Sequence, residues 1–100
     1  MARYRLTNKA VDDLAHIWNY TTEKWSESQA DKYYQMLIDN FSEIAKNPSL
    51  GKSYSGIIND LLGLRTGRHI IFYRKTENDE IEIIRILHEQ MDLKRRTKEK

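Results

Sequence analysis

Two apolar runs near the carboxyl end of the sequence, separated by five polar residues, constrain the fold of this chain more than any other feature. The runs cover Arg68 to Lys75 and Ile81 to Leu87, and the residues between them are Thr76 to Glu80. Within that connection, Asn78 and Asp79 tolerate the positive φ angles that tight turns between strands require. The segment therefore predicts an antiparallel β-hairpin.

Side chains on the second predicted strand should alternate between the two faces of a sheet. A regular alternation sets four residues on each face: Ile81, Ile83, Arg85 and Leu87 on one, and Glu82, Ile84, Ile86 and His88 on the other. Arg85 is then the charged residue in an apolar row. Because an unpaired buried charge is costly, Arg85 must either find a partner or line a site.

The first half of the sequence predicts two amphipathic helices. Their apolar faces recur at three- and four-residue spacing, with Val11, Leu14, Trp18, Thr21 and Trp25 in the first, and Ala30, Tyr34, Leu37, Phe41 and Ile44 in the second. The predicted boundaries are an N-cap at Thr7 or Asn8, an end near Trp25, a capping box of Ser26 and Gln29, and a stop at Asn47-Pro48. The very short connection indicates an antiparallel helical hairpin. Asp12 and Asp13 fall in or near the first turn, where carboxylates favour the helix dipole.

The remaining segments complete an α+β fold. Ala2 to Leu6 alternates and predicts a first strand, Ser49 to Asp60 is a loop rich in Gly and Ser, and Leu62 to Thr66 predicts a strand that turns at Gly67-Arg68 into the hairpin. The expected order is β-α-α-β-β-β, with the helical hairpin packed on a small, mostly antiparallel sheet and a short basic helix at the carboxyl end. One hundred residues make a single domain, residues 1–100.

The composition excludes several kinds of chemistry. The sequence has no cysteine, so thiolate catalysis and Cys-based metal sites are excluded, and the chain suits a reducing compartment. His16, His69 and His88 do not fall at metal-ligand spacing, and the four glycines match no phosphate-binding loop. No apolar run approaches the ~18 residues that a membrane span needs. We therefore expect a cytoplasmic protein with no metal, cofactor or membrane contact.

Basic residues concentrate in the last two fifths of the chain, where ten Lys and Arg face seven Asp and Glu. Arg65, Arg68, Arg74 and Arg85 lie on or beside the predicted strands, and His88 lies at the end of the last one. Such a set can bind a phosphodiester, with His88 as general acid or base. Alternatively, the arginines pair with carboxylates across the sheet. The residues alone leave both interpretations open.

Several stretches of this sequence resemble the ParE toxins of type II toxin–antitoxin modules, within the RelE/ParE superfamily. These stretches are L-R-T-G-R-H-I-I-F-Y-R, I-E-I-I-R-I-L-H, M-D-L-K-R-R and the amino-terminal Y-R-L-T-N-K-A-V-D-D-L-A-H-I-W-N-Y-T. The most specific part runs from Arg85 to Asp92. The resemblance covers nearly the whole chain and implies a helical hairpin on a small antiparallel-type sheet, in agreement with the element order above.

The superfamily contains two activities of different class. RelE-like members cleave mRNA on the ribosome, whereas ParE-like members poison DNA gyrase. Arg65 and Arg85 fall where RelE-like nucleases place phosphate-binding arginines, but Gln90-Met91-Asp92 stands where many of those nucleases carry a tyrosine. The resemblance thus favours inhibition of DNA gyrase through its DNA-cleaving subunit, with indirect contact to DNA through the gyrase complex. The candidate gyrase contacts are His88, Met91, Asp92, Lys94, Arg95 and Arg96.

The resemblance also implies a ParD-like antitoxin that binds and neutralises a bacterial or plasmid-borne toxin. A small domain with two apolar helix faces should leave a groove for an amphipathic segment. The candidate antitoxin contacts are Trp18, Trp25, Tyr34, Leu37 and Arg85. Two alternatives remain: a ribosome-dependent endoribonuclease that uses Arg65, Arg85 and His88, and a non-toxic partner that only binds antitoxin. The leading hypothesis assigns no catalytic residue.

Overall fold

The computed structural model describes residues 3–90, in which two helices begin where the sequence supplies a capping side chain. Helix α1 spans Asn8–Lys24, and the Thr7 hydroxyl accepts the backbone N–H of Ala10 at 3.1 Å. Helix α2 spans Glu27–Lys46, and the Ser26 hydroxyl accepts the N–H of Gln29 at 3.1 Å. A 3₁₀ turn, Pro48–Leu50, follows α2. The predicted helical hairpin is therefore confirmed.

Within residues 3–90, five strands form one sheet in the order β1-β5-β4-β3-β2. The strands are β1 (Tyr4–Leu6), β2 (Lys52–Ser53), β3 (Leu62–Thr66), β4 (His69–Lys75) and β5 (Ile81–His88). Only the β1–β5 pair of this sheet is parallel. The α+β class and the mostly antiparallel sheet are confirmed. The prediction that residues 49–60 form only loop is wrong at β2, because Lys52 and Ser53 pair with the edge of β3.

The turns that join β3, β4 and β5 use the residues that the sequence suggested. Asp79 has a φ of 58° in the β4–β5 connection, where the N–H of Thr76 bonds to the carbonyl of Glu80 at 2.8 Å. Gly67 has a φ of 60° in the β3–β4 turn, and a Cβ at this position would lie 2.7 Å from the Tyr33 hydroxyl oxygen. A side chain at residue 67 would therefore be strained and would also collide with α2.

Strand β5 does not alternate regularly, which corrects the predicted division of its faces. Phe72 of β4 pairs with Arg85 and Tyr73 pairs with Ile83, so Ile84 is the extra residue of a β-bulge. Ile81, Ile83 and Ile86 lie in the core beneath the helices, whereas Leu87 packs in a second cluster with Ile84 against it. The bulge shifts the alternation by one residue, so Leu87 does not share a face with Ile81 and Ile83.

The two faces of the sheet are covered by different parts of the chain. Beneath the helices, the core combines α1 and α2 residues with strand residues, namely Ala10, Leu14, Leu37, Phe41, Ile44, Ile71, Tyr73, Ile81, Ile83 and Ile86. On the opposite face Leu61, Ile70, Phe72 and Leu87 pack together, with Tyr54, Ile57 and Ile58 of the loop against them. The long loop therefore serves as the cover of the second face.

Two further sequence predictions concern the start of α1 and the segment after β5. Asp12 and Asp13 were predicted in or near the first turn of α1; the helix begins at Asn8, so they directly follow that turn, which itself holds no acidic residue. The predicted basic helix after β5 lies outside the described residues. Within residues 3–90, no helix combines the length and apolarity that crossing a membrane requires.

Candidate functional site

A buried ion pair joins α1 to β5. Arg85 donates from Nε to Asp13 Oδ2 at 2.8 Å and from Nη2 to Asp13 Oδ1 at 2.9 Å. The backbone N–H of Ile86 also donates to Asp13 Oδ2 at 2.9 Å. Strand β1 pairs with Ile81–Ile83, so the Asp13 carboxylate accepts a backbone N–H of β5 that lies beyond the end of β1. Arg85, which the sequence analysis expected to need a partner, is therefore paired with Asp13 of α1.

The sequence contained no local signal for this pairing. Asp13 lies 72 residues from Arg85, and its position next to Asp12 suggested a role at the helix terminus instead. Only the packing of α1 across the end of β5 brings the two charges together. Among the residues expected to matter, Arg85 was identified and Asp13 was missed.

A phenol and two imidazoles lie beside this ion pair. Tyr33 of α2 contacts His69 of β4, with 2.6 Å between the phenolic oxygen and Nδ1. The same oxygen accepts the N–H of Arg68 at 3.1 Å and lies 3.4 Å from the carbonyl oxygen of Thr66. His69 is paired across the strands with His88, and the ring centroids are 5.3 Å apart. Tyr33 is a second residue that the sequence did not suggest, because it lies 36 positions from its partner in the chain.

Burial controls the protonation of this cluster. Desolvation, together with the neighbouring His88, lowers the pKa of His69 from 6.5 to about 4, while Asp13 and Glu89 act in the opposite direction. Desolvation also raises the pKa of the Tyr33 phenol above 10.0. At neutral pH the imidazole of His69 and the phenol of Tyr33 are therefore uncharged.

The ion pair and the imidazoles border one cavity of about 310 Å³, which we call the polar cleft. Its walls come from α1 on one side and from β4 and β5 on the other. The charged and titratable residues that line it are Lys9, Asp12, Asp13, His16, His69, Arg85 and His88. His88 also accepts the N–H of Gln90 at its Nδ1 atom, at 3.1 Å.

The other arginines on the sheet pair with carboxylates. Arg65 donates from Nη2 to Glu89 Oε2. Arg74 donates to Glu82 at 2.9 Å, and Arg5 lies 3.1 Å from the second oxygen of the same carboxylate. Of the two interpretations that the sequence left open, pairing across the sheet is therefore the one observed for Arg65 and Arg74. Within residues 3–90, no group of three or more His, Asp or Glu side chains is placed to hold a metal ion.

A second depression, which we call the apolar groove, lies between the helices and β1. It has a volume of about 640 Å³ and is lined by Tyr4, Leu6, Val11, Leu14, Ala15, Trp18, Asn19, Asp31, Tyr34 and Ile38. Val11 is 52% exposed and Tyr34 is 40% exposed, so two large apolar side chains face solvent here. The Trp18 indole donates to Asp31 at 3.1 Å, which ties the two helices together at the edge of the groove.

The structure separates the five candidate antitoxin contacts into distinct places. Trp18 and Tyr34 meet in the apolar groove, whereas Arg85 lines the polar cleft. Trp25 is 76% exposed at the turn between the helices, and Leu37 is fully buried in the core. Of the candidate gyrase contacts, His88 lines the polar cleft, and Met91, Asp92, Lys94, Arg95 and Arg96 lie outside the described residues.

Solved structures share this architecture. The chromosomal ParDE toxin–antitoxin system of Pseudomonas aeruginosa aligns with a TM-score of 0.75 at 20% identity, covering 88% of this chain and 96% of that chain. The toxin–antitoxin complex RelBE2 of Mycobacterium tuberculosis aligns with a TM-score of 0.59 at 19% identity, covering 87% and 96%. At these identities the alignments define the fold class alone, which is that of chains found in toxin–antitoxin systems.

The sequence comparisons are more specific. The family model described as "ParE toxin of type II toxin-antitoxin system, parDE" matches residues 4–93. Toxin ParE1 of Mycobacterium tuberculosis is 34% identical over 94 residues, which is 94% of this chain and 96% of that toxin. The chain therefore belongs to the ParE toxin family of type II toxin–antitoxin systems.

Proposed function

We propose that this ParE-family protein acts as a toxin by binding DNA gyrase, and that a ParD-like antitoxin neutralises it. The observation that carries the proposal is the state of the two arginines that RNA cleavage would need. Arg85 is paired with Asp13, and Arg65 is paired with Glu89. A guanidinium whose charge is offset by an adjacent carboxylate contributes little to a developing phosphorane charge. The arrangement supports inhibition by binding over cleavage of RNA.

The histidines support the same choice. The Nδ1 atom of His88 accepts the N–H of Gln90, and the Nδ1 atom of His69 is hydrogen-bonded to the phenol of Tyr33. An imidazole whose Nδ1 accepts a hydrogen bond carries the proton of its neutral form on Nε2, as the His88 ring does here. A general base needs a lone pair on the nitrogen that faces the reacting group. His88 offers one at Nε2 only if it loses its present hydrogen bond from Gln90.

The proposed gyrase contact lies at the end of β5 and in the basic segment after it. His88 is the described member of this surface, and the DNA-cleaving subunit of gyrase is the proposed partner, with DNA contacted indirectly through the gyrase complex. The five residues beyond position 90 remain sequence-based candidates. Because gyrase works on DNA in the bacterial cytoplasm, the proposal implies that the toxin acts there.

The apolar groove is the proposed binding site of the antitoxin. Among residues 3–90, β1 is an edge strand of the sheet and borders this groove, so an incoming segment can cover apolar side chains and also pair with the outer edge of β1. An amphipathic segment that covers Val11, Trp18 and Tyr34 would remove apolar surface from water. Binding of this kind stabilises only the folded toxin, so the melting temperature should rise with antitoxin.

A gyrase supercoiling assay beside a ribosome-dependent RNA cleavage assay tests the target. We expect the purified toxin to inhibit supercoiling, and we expect added antitoxin to reverse the inhibition. Unchanged supercoiling at concentrations that stop cell growth would refute the proposal. Specific RNA cuts that disappear in Arg85→Ala and His88→Ala would instead establish the nuclease alternative.

Charge substitutions in the apolar groove test the antitoxin site. Val11→Asp and Tyr34→Asp should weaken antitoxin binding by at least ~10-fold, or about 1.4 kcal/mol, because a carboxylate must be desolvated in the complex. Tyr20→Asp is the matched control, since Tyr20 is 61% exposed on α1 and does not line the groove. Titration calorimetry measures all three. An equal loss in the control variant would place the antitoxin elsewhere.

A further inference from the structure

The environment of the Asp13 carboxylate is that of a bound oxyanion. Two guanidinium N–H groups of Arg85 and the backbone N–H of Ile86 converge on its two oxygens at distances of 2.8 to 2.9 Å. A planar guanidinium fork matches two oxygens of a carboxylate or a phosphate equally well. The backbone N–H adds a donor whose position is fixed by the sheet. The donors would therefore suit an external oxyanion as well as they suit Asp13.

The donors also lie next to open space. The polar cleft of about 310 Å³ is bordered by Asp13, Arg85 and Ile86 together, so a small anion can reach their position from solvent. This volume is near the lower end of small-molecule sites. An anion could enter the cleft without separation of α1 from the sheet.

The charges around the cleft explain why Asp13 controls access. Across the cavity, Arg85 of β5 faces Asp13 of α1, and Lys9 and Asp12 of α1 also line it. The imidazoles of His16, His69 and His88 complete the titratable lining. Removal of Asp13 takes away one negative charge and the acceptor of these three hydrogen bonds. An external phosphate would then restore both the negative charge and an acceptor for the three donors.

We propose that Arg85 and the N–H of Ile86 form an oxyanion-binding site that the chain fills with its own Asp13. In this arrangement the carboxylate is an internal ligand, and phosphate is the external ligand that the same donors accept when the carboxylate is removed. The internal ligand keeps Arg85 from holding a phosphate of a nucleic acid. This inference concerns the site itself and does not depend on which target the toxin binds.

The experiment is chemical rescue of Asp13→Ala by inorganic phosphate. We expect the variant to melt well below wild type in chloride buffer. We expect phosphate at the same ionic strength to raise its melting temperature on the order of 10 °C at about 100 times the dissociation constant. Wild type should show no comparable rise, because its donors are occupied. The double variant Asp13→Ala with Arg85→Met should also fail to respond, because the fork is absent.

Asp12→Ala is the matched control, since Asp12 is the adjacent residue, borders the same cleft and carries the same charge. Its response to phosphate should equal that of wild type. If Asp13→Ala does not fold in chloride, recovery of folded protein in phosphate becomes the measurement, and Asp13→Ser is tested in parallel. The inference is overturned if both variants of Asp13 gain no more from phosphate than Asp12→Ala does, including the case in which neither folds in either salt.

Discussion

Arg85 and Arg65 both lie on strands of one sheet, and each is paired with a carboxylate, yet their surroundings differ strongly. The side chains of Arg85 and Asp13 are 9% and 11% exposed, whereas those of Arg65 and Glu89 are 70% and 25% exposed. A buried charge that loses its partner cannot be compensated by water, but an exposed one can. An arginine–carboxylate pair is therefore a structural requirement beneath α1 and a minor contact at the surface.

The comparison also bears on function. An arginine needed for an external anion should be available to it, and the partner of Arg85 is fixed by three hydrogen bonds to one carboxylate. Arg65 is more accessible, but it lies on β3, which β4 separates from β5 and Arg85 in the sheet. This asymmetry supports the proposal that the toxin acts by binding, because the donors of Arg85 in the polar cleft are already occupied by Asp13.

The largest expected effect belongs to Arg85→Ala. We expect the free energy of unfolding to fall by about 3–5 kcal/mol, because Asp13 is left as a buried, uncompensated charge. Urea denaturation of the purified toxin measures this. Replacement of both partners by Asp13→Leu and Arg85→Met should recover much of the loss. A loss below about 1 kcal/mol in the single variant would show that the pair behaves like an exposed one.

An intermediate effect is expected for the dependence of stability on pH, which tests the buried region around the polar cleft. His69 has a folded-state pKa of about 4, below its ordinary value of 6.5. Between these values the unfolded chain binds more protons, so the stability contributed by neutral His69 falls as pH decreases from about 6.5 to 4. We expect His69→Asn to reduce the dependence of the melting temperature on pH over this range. His16→Asn, at an exposed position of α1, is the control, and an equal slope in His69→Asn and wild type would contradict the prediction.

The smallest effect is expected for Arg65→Ala. Its pair with Glu89 is largely exposed, so removal should change the free energy of unfolding by about 0–1 kcal/mol. High salt should reduce even this difference, because it screens exposed charges. Urea denaturation at low and high salt measures both statements. A loss comparable to that of Arg85→Ala would remove the contrast between the two arginines.

Most of the fold could be predicted because its signals are local. Capping by Thr7 and Ser26, the stop at Asn47-Pro48 and the turn around Asp79 each depend on a few adjacent residues. The two-residue β2 was missed, because a strand that short has no periodicity to detect. The bulge at Ile84 was missed for a related reason, since a regular alternation is assumed in any assignment of strand faces.

The candidate site was predicted in part. Arg85 was singled out as a charge that required a partner, and His88 as a titratable group at the end of a strand. Asp13 and Tyr33 were not associated with them, because contacts across 72 and 36 residues depend on how the helices cross the sheet. Leu37 was predicted to contact the antitoxin, but its side chain is buried in the core.

The sequence by itself determined the order of the helices and of every strand except β2, together with the caps, the hairpin turns and membership of the ParE family. Each of these follows from residue type at short spacing or from similarity along the chain. Only the tertiary structure decided that Asp13 neutralises Arg85, that burial keeps His69 uncharged, and that Trp18 and Tyr34 share one groove. The physical reason is that charge compensation, desolvation and access to solvent depend on distances between segments that the sequence leaves far apart.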